Sequence, residues 1–334
     1  SNYYRNNNID LTHIESNNQI FEHYIKHGQF EKRKIKIDNE EIISSPLIDS
    51  TKINEYYNHI IKKKYITLVI YVYYNRPGEY KNETNLAFFI NQTIKKRNSI
   101  DDKLEFLFII NNHFTEVHIP LQENINILKN SNCLDFEAYL IGINYIRKKY
   151  SKQISQLYEN VMFLNCSCTG PFVKDNEFWL NPFYNRLNNH TVCCTSILTI
   201  INGNSNISGP QIPGYCFLIN SIYIYLLIRP NNILNSRYFS NTVFGRKINK
   251  YDCIISGEHC VSIVLLKNNL NISGLCNLNL DFRNKNNHKN LIFSADRHPI
   301  FRHSLYTSVF IKNHWRIDSS RRDCHPVQWI QTKC

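Results

Sequence analysis

The chain has 334 residues, enough to bury the core of one large α/β domain or of two small ones. Gly and Pro stand at only 10 each, which excludes collagenous and broadly low-complexity classes, while a 43% hydrophobic share with 21 Tyr and 19 Phe supports a packed interior. A net charge of +12 favours anionic partners, yet the basic residues are dispersed and no nucleic-acid module accompanies them, so no nucleic-acid partner is expected.

No apolar run reaches the roughly 18 residues that a spanning helix needs. Even the run from Cys216 to Ile228 is interrupted by Asn220 and Ser221. The chain starts without Met or a basic-then-apolar leader, so a signal or anchor lost from it stays open. The 11 cysteines are odd in number, scattered and largely set in apolar segments, which predicts reduced thiols and a cytoplasmic setting. No CxxC stands beside a matching pair of ligands, so no structural zinc site is expected.

In chain order, residues 1–60 are polar and Asn-rich and read as an extension or helical embellishment. The run YITLVIYVYY at 65–74 is β-branched and aromatic throughout, the pattern of a central strand. NRPG at 75–78 breaks it. Apolar spacing predicts a helix over 85–94, a strand over 104–110 ending on Asn111 and Asn112, and a third strand over 125–128. A helix starts at Asp135, where an acidic side chain suits free N–H groups as a cap, and runs to Ile146. The fourth strand, VMFL at 161–164, ends on Asn165, Cys166 and Ser167 before Gly170 and Pro171 turn the chain.

This alternation predicts an α/β fold with a mostly parallel, Rossmann-like sheet and helices on both faces. Ligands of such sheets collect at the carboxyl ends of the strands. The polar ends at Tyr73-Tyr74, Asn111-Asn112, Lys129–Asp135 and Asn165–Ser167 therefore converge on one expected site. Neither GxGxxG nor GxxxxGK[ST] occurs, so a dinucleotide fold and a P-loop are disfavoured.

Tyr73-Tyr74, NLAFF at 85–89, KNSNCLDFEAY at 129–139, FLNCSCTGPF at 163–172 and Trp179 stand in the order of a known pattern. YDCIISGEHCVS at 251–262 extends it. Together these segments resemble GT-A-type glycosyltransferases, closest to the rhamnan-synthesis-F-like group and related viral, algal and fungal sugar transferases. The likeness covers about residues 65–275 and implies a GT-A-like domain whose nucleotide-sugar half spans 61–200. Its acceptor half and tail would span 201–334. It also implies a nucleoside diphosphate sugar donor of the UDP type, carrying rhamnose or another deoxyhexose, and a glycan or glycoprotein acceptor. A viral source would place the protein in the host cytoplasm or a viral factory.

On this mapping Tyr73, Tyr74 and Asn112 line the nucleoside pocket, and since neighbouring strand residues point to opposite faces, only one of the two tyrosines faces the base. Lys129, Asn132 and Asp135 join the donor site. Most such enzymes hold Mn²⁺ or Mg²⁺ with an Asp-x-Asp tip. Asn165-Cys166-Ser167 has no carboxylate, so the tip alone is a poor hard-metal site, no metal ligand is assigned, and metal dependence is in doubt. Asn165 and Ser167 are instead expected to hydrogen-bond the ribose or diphosphate directly. Positive charge would come from Lys129, from Lys or Arg further along, and from the N-terminus of the Asp135 helix. Glu258, between an apolar strand-like run at 253–255 and an amphipathic run from Val261, is the expected general base, with His259 sharing or orienting it.

Plainer readings stand beside each of these. The tyrosines fit a core, Asp135 and Glu258 fit helix caps, and Asn165 and Ser167 fit a strand-ending turn. A catalytically silent relative that binds nucleotide or glycan is the alternative at the level of function.

Overall fold

The computed structural model describes residues 34–37, 40–43, 66–74, 80–95, 103–111, 115–130, 133–174, 177–201, 208–230, 240–293 and 305–312. The chain forms two units, Ser1–Lys62 and Lys63–Cys334. In the first, Lys34–Ile37 and Glu40–Ile43 pair as antiparallel strands with Lys34 opposite Ile43.

The second unit is built on a seven-stranded sheet. Its strands are β1 (Thr67–Tyr74), β2 (Leu104–Asn111), β3 (Ile125–Asn130), β4 (Asn160–Asn165), β5 (Thr191–Thr195), β6 (Cys216–Asn220) and β7 (Asn271–Gly274). Their spatial order is β3-β2-β1-β4-β6-β5-β7. All run parallel except β6, which lies antiparallel between β4 and β5. This is the α/β, Rossmann-like class expected from the sequence.

Helices cover both faces, which explains why the central strands lack a polar side. Leu68, Ile70 and Val72 of β1 pack with α2 (Asp135–Tyr150) and α3 (Cys260–Lys267) in one core layer. Val69, Tyr71 and Tyr73 pack in the other, with Phe89 of α1 (Tyr80–Ile90), Trp179 and Phe183. The second layer is aromatic. Phe89 stands 4.8 Å from Tyr71 and 5.9 Å from Trp179 between ring centroids, the latter edge-on, as aromatic quadrupoles prefer.

Two elements depart from the expected pattern. The helix placed at 85–94 begins at Tyr80 and gives way at Asn91–Lys95 to a wider π-helical turn, where Thr93 Oγ1 bonds the Phe89 carbonyl. The apolar run from Cys216 is a strand only to Asn220, whose side chain accepts from the Ile222 amide and starts the helical stretch to Ile228. One Asn both ends the strand and caps the helical stretch after it.

At the amino ends of the strands, Glu105 of β2 is fully buried. Its oxygens accept from Tyr150 (2.8 Å), Tyr158 (2.6 Å) and Asn126 (2.7 Å), with Lys149 at 3.4 Å. A carboxylate this deep is tolerable only when its lone pairs are met. The Asn165–Ser167 tip lies at the opposite, carboxyl end of the strands.

Candidate functional site at the sheet rim

The chain order turns back between β1 and β4: β2 and β3 extend to one side of β1, and β4 lies on the other. At such a switch point the loops diverge and leave a crevice. β4 ends there on Asn165, opposite Val72 of β1.

Asn165 organises the tip. Its Nδ2 donates to Asp135 Oδ2 at 2.9 Å, and its Oδ1 accepts from the Ser167 amide at 3.0 Å and the Ser167 hydroxyl at 2.5 Å. Asp135, Asn165 and Ser167, predicted to share a site, are thus one hydrogen-bonded chain. Asp135 does not serve as the helix cap: Leu134 occupies that position and makes no side-chain cap bond. Asp135 is the first helical residue, and its carboxylate turns toward β4 instead. With Glu137 it also makes the first turn of α2 acidic, which opposes the helix end as a source of positive charge.

The tip is held from behind by Asn85, completely buried on α1. Asn85 Nδ2 donates to the Cys166 carbonyl at 2.7 Å, and Asn85 Oδ1 accepts from Thr169 Oγ1 at 2.5 Å. Gly170 comes next at φ 152°, with a cis bond to Pro171. A Cβ there would stand 2.5 Å from the Phe310 ring and 2.5 Å from the Val309 carbonyl, so only glycine lets the segment at 309–310 close against the turn.

Glu258 reaches the same rim by another route. The residues at 253–255, expected to be strand-like, belong to a π-helical stretch, Cys253–His259, that runs into α3. Continuous apolar runs carry no period to separate the two cases. Wide helical turns widen the spacing of side chains and often mark functional positions. Glu258 is 9% exposed, and its Oε2 accepts from Gln211 Nε2 at 3.0 Å. Gly214, just before β6, gives it room: a Cβ there would lie 2.9 Å from Glu258 Cγ and 2.7 Å from the Phe136 ring. Phe136 also fills the space over Gly257, at 2.7 Å from where a Cβ would be. The Tyr215 carbonyl, next to Gly214, accepts from the Asn165 amide at 3.1 Å. Cys253 feels both carboxylates: its thiol is pushed up to about 12 by burial, then by Asp135 and Glu258. His259 is completely buried.

The other expected site residues are distributed less simply. Tyr73 is fully buried in the aromatic layer and its hydroxyl donates to Glu83 Oε1 at 2.6 Å; burial, then that bond, push its pKa upward. Tyr74 is half-buried and packs against the same aromatic layer, its amide bonded to Cys166 Sγ at 3.3 Å. Lys129 is exposed near the end of edge strand β3. Asn112 and Asn132 lie outside the described residues.

Asn111 was expected at the rim as a strand end, whereas Gln211 carried no clear mark in the sequence. Asn111, 1% exposed, donates to the Cys133 carbonyl at 3.2 Å and accepts from Asn130 at 3.1 Å, tying the start of α2 to the ends of β2 and β3. Gln211 comes from a short strand, Gly209–Gln211, that pairs outside the main sheet. The YD pair has a structural explanation: Asp252 accepts from the Ser240 and Ile248 amides and from Ser256, pinning the segment before it.

Around the tip the oxygen donors are one carboxylate, one amide and one hydroxyl, with Asp135 Oδ2 and Asn165 Oδ1 already engaged. Among the described residues no group of three His, Cys, Asp or Glu side chains is placed to hold a metal ion. The donor set suits Mn²⁺ or Mg²⁺ poorly, because hard cations need several oxygen ligands, chiefly carboxylate. No described helix is long and apolar enough to cross a membrane.

No protein-family model matches the chain. It is 26% identical over 255 residues to a curated protein of Buchnera aphidicola subsp. Schizaphis graminum (strain Sg) named as an uncharacterized protein. The match takes in 70% of this chain and 25% of that protein, so the chain spans about a quarter of the relative's length.

Proposed function

We propose that the chain is a glycosyltransferase that moves a sugar from a nucleoside diphosphate donor to a glycan or glycoprotein. The donor is of the UDP type and its sugar rhamnose or another deoxyhexose. One observation carries the reading: Asp135, Asn165 and Ser167 form a linked polar cluster at the switch point, and Glu258 comes to the same rim across Phe136 and Gly214. An inverting displacement needs these two parts. One binds the diphosphate and ribose; the other takes a proton. The acceptor oxygen attacks the anomeric carbon, the bond to the diphosphate breaks with its electrons leaving on phosphate, and Glu258 receives the hydroxyl proton. Burial against Phe136 removes water around the base, and the Gln211 amide fixes its orientation.

A second reading is favoured by the tip's lack of carboxylates: a GT-A-like protein that binds nucleotide or glycan without turnover. Incubating the full chain with a panel of nucleotide sugars and measuring diphosphate release, with and without EDTA, separates the two. Release that persists in EDTA supports a transferase working without a bound ion. Binding with no release from any donor supports the silent protein, and absence of both overturns the nucleotide-sugar reading.

A further inference from the structure

The diphosphate in that reading carries negative charge that the tip itself does not neutralise. The first turn of α2 is acidic, and Lys129 stands exposed on the far edge strand. A lysine pairs beside the tip, from further along the chain. Ile311–Lys312 pairs antiparallel with Cys168–Thr169, placing Lys312 opposite Cys168, one residue after Ser167.

The placement is firm. Val309, Phe310 and Ile311 are at most 2% exposed, and the Val309 carbonyl accepts from the Phe172 amide at 2.8 Å. The absent Cβ of Gly170 is what lets Phe310 pack there. Lys312 itself is half-buried, its ammonium 5.9 Å from the centre of the Tyr215 ring. The Tyr215 carbonyl is bonded to the Asn165 amide and, at 3.4 Å, to the Cys168 thiol. Among the described residues no carboxylate pairs with Lys312. An aromatic face orients an ammonium without quenching its charge, leaving N–H donors for an incoming anion.

We propose that Lys312 is the cation that binds the donor's diphosphate at the Asn165–Ser167 tip. The proposal rests on the transferase reading for its ligand, but its own content is narrower: an anion subsite for two linked phosphates, made by Lys312, Ser167 and Asn165.

The test is calorimetric titration of the full chain with inorganic pyrophosphate, UDP and uridine, with and without EDTA, for wild type, Lys312→Met, Lys312→Gln and Lys312→Arg. Charge-assisted phosphate contacts predict that the Met and Gln variants lose at least about tenfold in affinity for pyrophosphate and UDP. Uridine binding stays unchanged and Arg retains most of the phosphate affinity. Unliganded melting temperatures report folding, and two neutral replacements guard against one that fails to fold. Equal pyrophosphate affinity in wild type and both neutral variants overturns the role of Lys312 and leaves the transferase reading standing. Phosphate binding that EDTA abolishes also overturns it. Lys312-dependent pyrophosphate binding with no nucleotide sugar bound or cleaved overturns the transferase reading and leaves the subsite. Failure of wild type to bind either phosphate, with or without EDTA, overturns both.

Discussion

Asn165 and Asp135, 30 residues apart in the chain, meet amide to carboxylate at 2.9 Å where β4 and α2 converge. The contact joins the last residue of a strand to the first residue of a helix on the same rim. Because Asn165 also accepts from Ser167, one side chain sets the position of two others.

Replacing Asn165 with Ala leaves the Asp135 carboxylate without that donor and frees the Ser167 hydroxyl. The expected cost is about 1–3 kcal/mol of stability, read as a lowered urea midpoint with unchanged slope. UDP affinity falls with it. An unaltered midpoint would mean that solvent replaces the bond at no cost.

Glu258→Gln keeps the shape and, through Gln211, much of the local bonding, but cannot accept a proton. Donor binding is expected to survive while transfer falls by about 10²–10⁴-fold, the usual worth of a positioned base. Normal transfer by this variant removes Glu258 from the chemistry.

Gly214→Ala tests the packing rather than the base. The added methyl meets the Phe136 ring and Glu258 Cγ together, and neither can retreat without moving α2 or the π-helical stretch. Overpacking of this kind costs about 1–3 kcal/mol, and the displaced carboxylate lowers transfer with little effect on donor binding. Parallel melting and kinetic measurements check both parts.

The buried thiols set the alkaline behaviour. Burial, in each case the leading cause, pushes Cys216, Cys253, Cys260 and Cys276 up to about 12. Unfolded thiols ionise from about pH 8.5, so there the unfolded chain binds fewer protons than the folded one. Stability is therefore full below that point and falls as pH rises, by about 1.4 kcal/mol per pH unit for each such thiol. Lys247 works in the opposite sense: burial lowers it to about 8, so its contribution grows as pH climbs toward the ordinary lysine value. Urea unfolding at about pH 8, 9 and 10 should show a net loss, steeper in Lys247→Met. A flat profile contradicts both assignments.

The strands and the long helix were legible in the sequence because buried parallel strands read as unbroken apolar runs, and α2 opens with an acid after a polar gap. The Asn165–Ser167 tip was legible for a related reason: polar residues that end a core strand have only the rim to occupy. Glu258's setting was not. An apolar stretch such as CII at 253–255 has no period, and nothing local distinguishes a strand from a π-helical turn. Tyr73 shows the limit of residue type as a guide, since its buried ring and its bond to Glu83 are set by the pleat and the position of α1. Gln211 and Lys312 sit in strands of three and two residues, too short for any pattern, and their value arises from partners 47 and 144 positions away.

Antiparallel β6 decides whether this domain can be divided. Because it returns between β4 and β5, a fragment ending near residue 200 would bare one whole side of β4, with Val161, Phe163 and their neighbours left without a strand to cover the backbone. Such an open border invites pairing with other copies. The stretches before and after residue 200 are thus consecutive in sequence yet interleaved in space, and neither makes a complete sheet by itself.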